Sequence, residues 1–169
     1  NNSLAIFYII TGMTVFSVQD TIVRILSSEV SILQIMFLRS VVGLSVLFLY
    51  LKVRKIPIIF SSQYPVLTTI RAILFMFAFL FYYIGLAYLP YAVTTALFFT
   101  TPFFITILSK IFLKENIGIV RLLTIIFGFI GVVIIANPTF DSFNIFMIFP
   151  ILCAFGYSAS MIIIKMTSE

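Results

Sequence analysis

With 169 residues, 63% hydrophobic and 9% charged, the chain carries more apolar surface than a water-soluble core of this size can hide. Its net charge of +5 comes from basic residues scattered between long apolar runs, a pattern that offers no patch for nucleic acid. A single cysteine, Cys153, excludes an intramolecular disulfide within the sequence, and with no His neither a transition-metal site nor a bound cofactor is expected.

A helix needs roughly 20 apolar residues to cross about 30 Å of hydrocarbon. Six stretches qualify: Leu4 to Leu26, Ile32 to Leu51, Val66 to Leu89, Tyr91 to Leu113, Ile119 to Ala136 and Ile145 to Ile164. The breaks between them carry turn chemistry: Ser27-Ser28-Glu29, Lys52 to Tyr64, Leu89-Pro90, Lys114-Glu115-Asn116 and Asn137-Pro138-Thr139. Backbone groups cannot go unpaired in lipid, so runs this long are expected as helices, and they lack the polar alternation of a β-barrel. No basic leader precedes the first run, so no cleavable signal peptide is read. The start at Asn1 and the abrupt end at Glu169 suggest a piece of a longer protein.

Orientation follows from Lys and Arg. With a cytoplasmic N-terminus, Lys52, Arg54, Lys55, Arg71, Lys110, Lys114, Arg121 and Lys165 all lie on the inner side. The outer connections, near residues 27–31, 89–90 and 137–144, then hold none. Arg24 and Arg39 fall inside helices.

The segment Phe16 to Ser27 matches Tyr157 to Ser168 at a constant offset, with Ser, Ile and Ser identical and Arg24 replaced by Lys165. Five helices separate one copy from the next, so the second copy starts from the opposite side of the membrane. That is an inverted-topology repeat, a recurrent plan of secondary transporters. The expected division is residues 1–141 as one five-helix repeat and 142–169 as the first helix of a second, truncated one.

Several short motifs follow one another: Phe37-Leu38-Arg39 in the second helix, Arg71 and Gly85-Leu86-Ala87-Tyr88-Leu89-Pro90 in the third, Ala96 to Phe103 and Leu113-Lys114-Glu115 in the fourth, and Gly128 to Ile135 in the fifth. Their order resembles the drug/metabolite transporter superfamily in its EamA-type domain. The resemblance implies an all-α polytopic membrane protein with six helices here, part of a ten-helix inverted-repeat transporter, in the bacterial cytoplasmic membrane. The remaining helices would come from a missing second repeat or from a homodimer. The implied activity is secondary transport of a small polar or amphipathic metabolite by alternating access. A non-transporting membrane scaffold or assembly factor is the alternative. A membrane-embedded enzyme is less favoured, because no catalytic constellation is visible.

Arg39 lies about 12 Å below the outer boundary, where a charge costs at least about 2.5–3.5 kcal/mol on insertion scales. Asp20 lies at a comparable depth on the first helix, with Arg24 one turn on. One reading makes Arg39 the holder of an anionic or polar substrate group and Asp20 the holder of a cationic group or a coupling proton. The other makes them an Asp20–Arg39 or Asp20–Arg24 ion pair that locks helices, with Arg24 snorkelling to the surface. Pro102 leaves the Phe98 carbonyl without its helical partner, so a kink beside Thr100 and Thr101 is expected, as a hinge or a static bend. Tyr82, Tyr83 and Tyr157 lie inside helices where each could line a cavity, and Tyr82 and Tyr157 are taken with Thr101 as candidates to contact substrate. Gly128 and Gly131 are read as packing residues, as is the small-residue series Ala154, Gly156, Ser158 and Ser160.

Overall fold

Long apolar runs bounded by Ser, Pro and Lys breaks become helices in lipid because no other form pairs every backbone group internally. A computed structural model describes residues 2–57, 63–136 and 144–168. Its elements are α1 (Asn2–Leu26), α2 (Ile32–Val53), α3 (Pro65–Tyr88), α4 (Tyr91–Phe98), α5 (Thr101–Phe112), α6 (Ile119–Ala136), a 3-10 turn (Ile145–Met147) and α7 (Ile148–Ser168). Five segments are long and apolar enough to span a bilayer: Leu4–Leu26, Ile32–Val53, Pro65–Tyr88, Tyr91–Phe112 and Ile145–Thr167. The sixth, apolar over Ile119–Ile134, is shorter. The chain is an all-α polytopic membrane protein. The expected turn Asn137-Pro138-Thr139 and the expected boundary between 141 and 142 lie outside the described residues.

Helix starts follow local chemistry. The Ser31 N–H donates to Gln34 Oε1 at 3.4 Å at the head of α2, and Pro65 opens α3, where its missing N–H is not needed. At the far ends of α2 and α5 the chain turns out through Lys55 and Lys114, both at φ 53°, the left-handed conformation that ends helices. Large apolar side chains cover the outside: Phe37 is 67% exposed, Leu44 66% and Val120 74%. Water would not tolerate such a belt, and hydrocarbon accepts it.

Cross-helix contacts sort the helix ends into two sets. At one end Arg24, from the last turn of α1, donates to the carbonyl of Leu89 at 2.9 Å just past α3, and Tyr88 stacks on Phe146 with ring centroids 4.2 Å apart. At the other, Glu115 pairs with Lys165 of α7 and with Arg121 of α6, the latter at 3.4 Å. The Lys165 hydrogen bond holds the Glu115 carboxyl below the usual carboxylate range. A lowered folded-state pKa means this clasp is present at neutral pH and fades as pH falls through that pKa. Consecutive spans therefore run in alternating directions.

The core is the seam of α3 against α7, with α5 packed on the other side of α7. Small residues let these backbones approach. Ala154, Ser158 and Ser160 are fully buried and Ala78 is 1% exposed. A Cβ on Gly156 would stand 3.5 Å from the Leu74 carbonyl and the Ala78 methyl. Gly85 is tighter: a Cβ there would fall 2.7 Å from Pro150 Cγ and 3.1 Å from Thr94 Cγ2. The packing expected of Gly128 and Gly131 is not found among the described residues, since a Cβ on either meets nothing within 4 Å. The cause is rotational: α6 touches the bundle through other residues, such as Phe129, whose ring meets Phe103 edge-on at 5.5 Å.

Candidate functional site

A helix turns about 100° per residue, so consecutive residues aim at different neighbours. On α3 this splits Tyr82 from Tyr83. The Tyr82 hydroxyl donates to Asp20 Oδ2 at 2.9 Å. The Tyr83 hydroxyl accepts from Gln19 Nε2 at 3.0 Å and from the Arg39 guanidinium. Neighbours on α1 thus meet neighbours on α3. Asp20 and Tyr82 each stand six residues before the end of their helix, so they meet at one depth. The Arg39 guanidinium also lies over the Phe79 ring, 4.8 Å from its centroid, and 5.7 Å from that of Tyr83. A cation held by ring faces and a phenol is shielded from lipid without a carboxylate partner.

Neither ion pair considered for Asp20 forms among the described residues. Asp20 is held by Tyr82, Arg39 by Tyr83, and Arg24 by the α3 carbonyls. Nor does Arg24 simply snorkel: it satisfies backbone acceptors that the end of α3 leaves open, with its charge at the favourable pole of the helix dipole.

Two cavities flank α3. One, of about 340 Å³, lies between α1, α3, α4 and α7, with Asp20, Tyr82 and Tyr157 in its wall. It extends to Tyr91, at the Arg24 end of the bundle. The other, of about 770 Å³, lies between α2, α3 and α7, with Arg39, Tyr83 and Ser160 in its wall. It runs from Met36 and Tyr83, near the depth of Tyr82, to Arg71 and Ile164 at the Glu115 end. Phe75 and Phe79 line both. Their rings meet edge-on at 4.9 Å, and Phe79 meets Tyr83 at 6.0 Å, so one aromatic ridge of α3 is the wall the cavities share. Asp20 and Arg39, expected in one charged cluster, form no ion pair and line different cavities, yet the charge of Arg39 is still felt at Asp20.

Thr101 lines neither cavity. The expected mid-helix kink is a full break between Phe98 and Thr101, starting ahead of Pro102 because the proline ring clashes with the carbonyl four residues back. Pro102 itself falls in the first turn of α5, where it needs no N–H. The Thr101 hydroxyl donates to the orphaned Phe98 carbonyl, and the Thr100 hydroxyl donates to the Leu97 carbonyl at 2.7 Å. Ser158 of α7 donates to the Thr101 carbonyl at 3.1 Å. The break is therefore a satisfied joint clasped by α7. Among the described residues no three His, Cys, Asp or Glu side chains gather.

The hub role of Tyr83, the partnership of Gln19 and the tight seat of Gly85 were missed by sequence reasoning. The signal for the first two was the equal depth of two adjacent pairs, Gln19-Asp20 and Tyr82-Tyr83, in otherwise apolar helices.

Residues 3–137 match the model of the EamA-like transporter family. A riboflavin transporter of Brucella anthropi is 40% identical over 77 residues, covering 44% of this chain and 27% of its own length. An S-adenosylmethionine uptake transporter of Rickettsia bellii is 32% identical over 105 residues, covering 62% of this chain and 36% of its own. A pseudopaline exporter of Pseudomonas aeruginosa is 26% identical over 156 residues, covering 91% of this chain and 54% of its own. The chain thus spans at most about half the length of these relatives. No solved structure matches it significantly. With its apolar spans and bacterial relatives it is a multi-pass protein of the bacterial cytoplasmic membrane. By the match over most of its residues, the chain belongs to the EamA-like transporter family.

Proposed function

We propose that the protein is a secondary transporter of a small polar or amphipathic metabolite, working by alternating access with its N-terminus in the cytoplasm. The observation that carries the reading is the pair of cavities about the Phe75–Phe79 wall, one leading toward each end of the bundle. Each holds a half-buried charge on a tyrosine: Asp20 in one, Arg39 in the other. Charges placed inside membrane spans are costly, and in membrane proteins they mark substrate or ion paths.

Residues 1–141 act as one repeat and α7 opens a second, inverted one. Supporting this, Arg24 and Lys165, matched in the sequence repeat, tie their helices to neighbours at opposite ends of the bundle. The break between α4 and α5 serves as the hinge at Pro102, since its carbonyls are already satisfied by threonines and can be kept so during bending. Asp20, Tyr82 and Tyr157 form the substrate wall on one side and Arg39 on the other.

Arg39→Gln tests the role of the cation. In proteoliposomes containing the natural protein, its half-saturation constant for substrate is expected to rise about tenfold or more, the worth of a charge-assisted hydrogen bond, while expression holds. A fall in expression with an unchanged half-saturation constant would make Arg39 a helix lock and nothing more.

A further inference from the structure

The cavity between α2, α3 and α7 has an unusual donor inventory. Two arginines line it, Arg39 and Arg71, and no carboxylate does. Arg39 is already engaged by Tyr83 and Phe79. Arg71 is an exposed residue of the cavity wall and makes no hydrogen bond or ion pair with any described residue. The third group is Ser160. It is fully buried, and its hydroxyl oxygen is the one buried side-chain polar atom among the described residues without a hydrogen-bond partner. A buried hydroxyl left unpaired costs about 1–3 kcal/mol, so a native structure that keeps one invites a partner.

Position brings Ser160 and Arg71 together. Gly156 lies against Leu74 and Ala78, and α7 runs antiparallel to α3. One turn further along α7, Ser160 is therefore level with the turn of α3 that carries Arg71. Above that turn, Phe75, Phe79 and Tyr83 continue the same ridge at intervals of four, ending under the Arg39 guanidinium.

We propose that this cavity is an oxyanion site: Arg71 and Ser160 donate to a carboxylate or phosphate, and the apolar, planar body attached to it lies along Phe75 and Phe79. The inference names a substrate class for the transport reading and rests on it for its purpose, but binding is measurable without transport. The oxyanion supplies the acceptor that Ser160 lacks and a charged partner for Arg71. A cation would meet two like charges there, and a neutral amide would forgo the charge-assisted hydrogen bond that Arg71 offers. A free metabolite and a lipid headgroup present the same chemistry, so the source is read by experiment.

The test uses the natural protein in phosphatidylcholine nanodiscs, with thermal unfolding followed against benzoate and phenyl phosphate and with benzamide as the neutral control. Either anion is expected to raise the transition temperature where benzamide does not. Arg71→Gln weakens the apparent affinity about tenfold or more. Ser160→Ala weakens it about threefold, yet its ligand-free transition temperature equals or exceeds that of the parent, because an unpaired hydroxyl has been removed. A parallel set in phosphatidylglycerol reads the source. Stabilisation by that lipid, lost in Arg71→Gln, supports the oxyanion site with a headgroup as its occupant. The proposal is overturned if no anion stabilises in either bilayer, if benzamide matches benzoate, or if both variants bind as the parent does. Anion binding with no uptake removes the transport reading alone. Uptake of a neutral solute with no anion binding removes the oxyanion site alone.

Discussion

Gly85→Val is expected to lower the thermal stability of the purified protein more than any other glycine substitution in the bundle. Its new side chain starts 2.7 Å from the Pro150 ring and 3.1 Å from the Thr94 methyl. A proline ring cannot rotate aside, and Thr94 is fully buried, its hydroxyl donating to the Gly85 carbonyl at 3.1 Å. The helices must separate or the side chains must strain, an overpacking cost of about 1–3 kcal/mol, with the Thr94 hydrogen bond at risk besides. Gly128→Val is the matched control. Nothing lies within 4 Å of a Cβ there, and changes at such surface sites usually stay within about 0.5 kcal/mol. Transition temperatures in detergent check the pair. Equal losses would mean that the α3–α4–α7 seam is looser than its distances imply.

Asp20→Asn is expected to abolish pH-dependent uptake. Asparagine keeps an oxygen that accepts from Tyr82, so the α1–α3 contact survives, but it cannot carry a proton. In proteoliposomes with an imposed pH gradient, accumulation should fall to the level seen without a gradient, while the size-exclusion profile is unchanged. Tyr82→Phe, which removes the donor and keeps the acid, should retain gradient-driven uptake with a shifted pH profile. Gradient-driven uptake persisting in Asp20→Asn would remove the proton role.

Much of the fold can be read locally. Among the described residues, serine, proline and lysine breaks placed most helix ends to within a few residues, the α4–α5 break apart, because the length of an apolar run and its terminators are properties of the chain alone. The Pro102 bend was legible for the same reason, down to the Phe98 carbonyl that it orphans, although the break starts one turn earlier. What local pattern cannot supply is rotation about the helix axis. In a soluble helix a polar stripe marks the outside; in α6 or α3 both faces are apolar, so nothing in the sequence distinguishes Gly85, which meets Pro150, from Gly128, which meets nothing. The same gap explains the charges. Asp20 and Arg39 were identified by the cost of burying them, but depth alone made them neighbours. The 100° between Tyr82 and Tyr83 sends them to separate cavities.

The most direct test is the side from which each cavity is reached. On a cysteine-free background, Thr95→Cys reports the cavity of Asp20 and Ala72→Cys that of Arg39. A membrane-impermeant thiol reagent added outside should modify Thr95→Cys and spare Ala72→Cys, and added to the cytoplasmic face it should do the reverse. Modification of both from one face would contradict two opposed cavities about the Phe75–Phe79 wall, and with them the proposed alternating access.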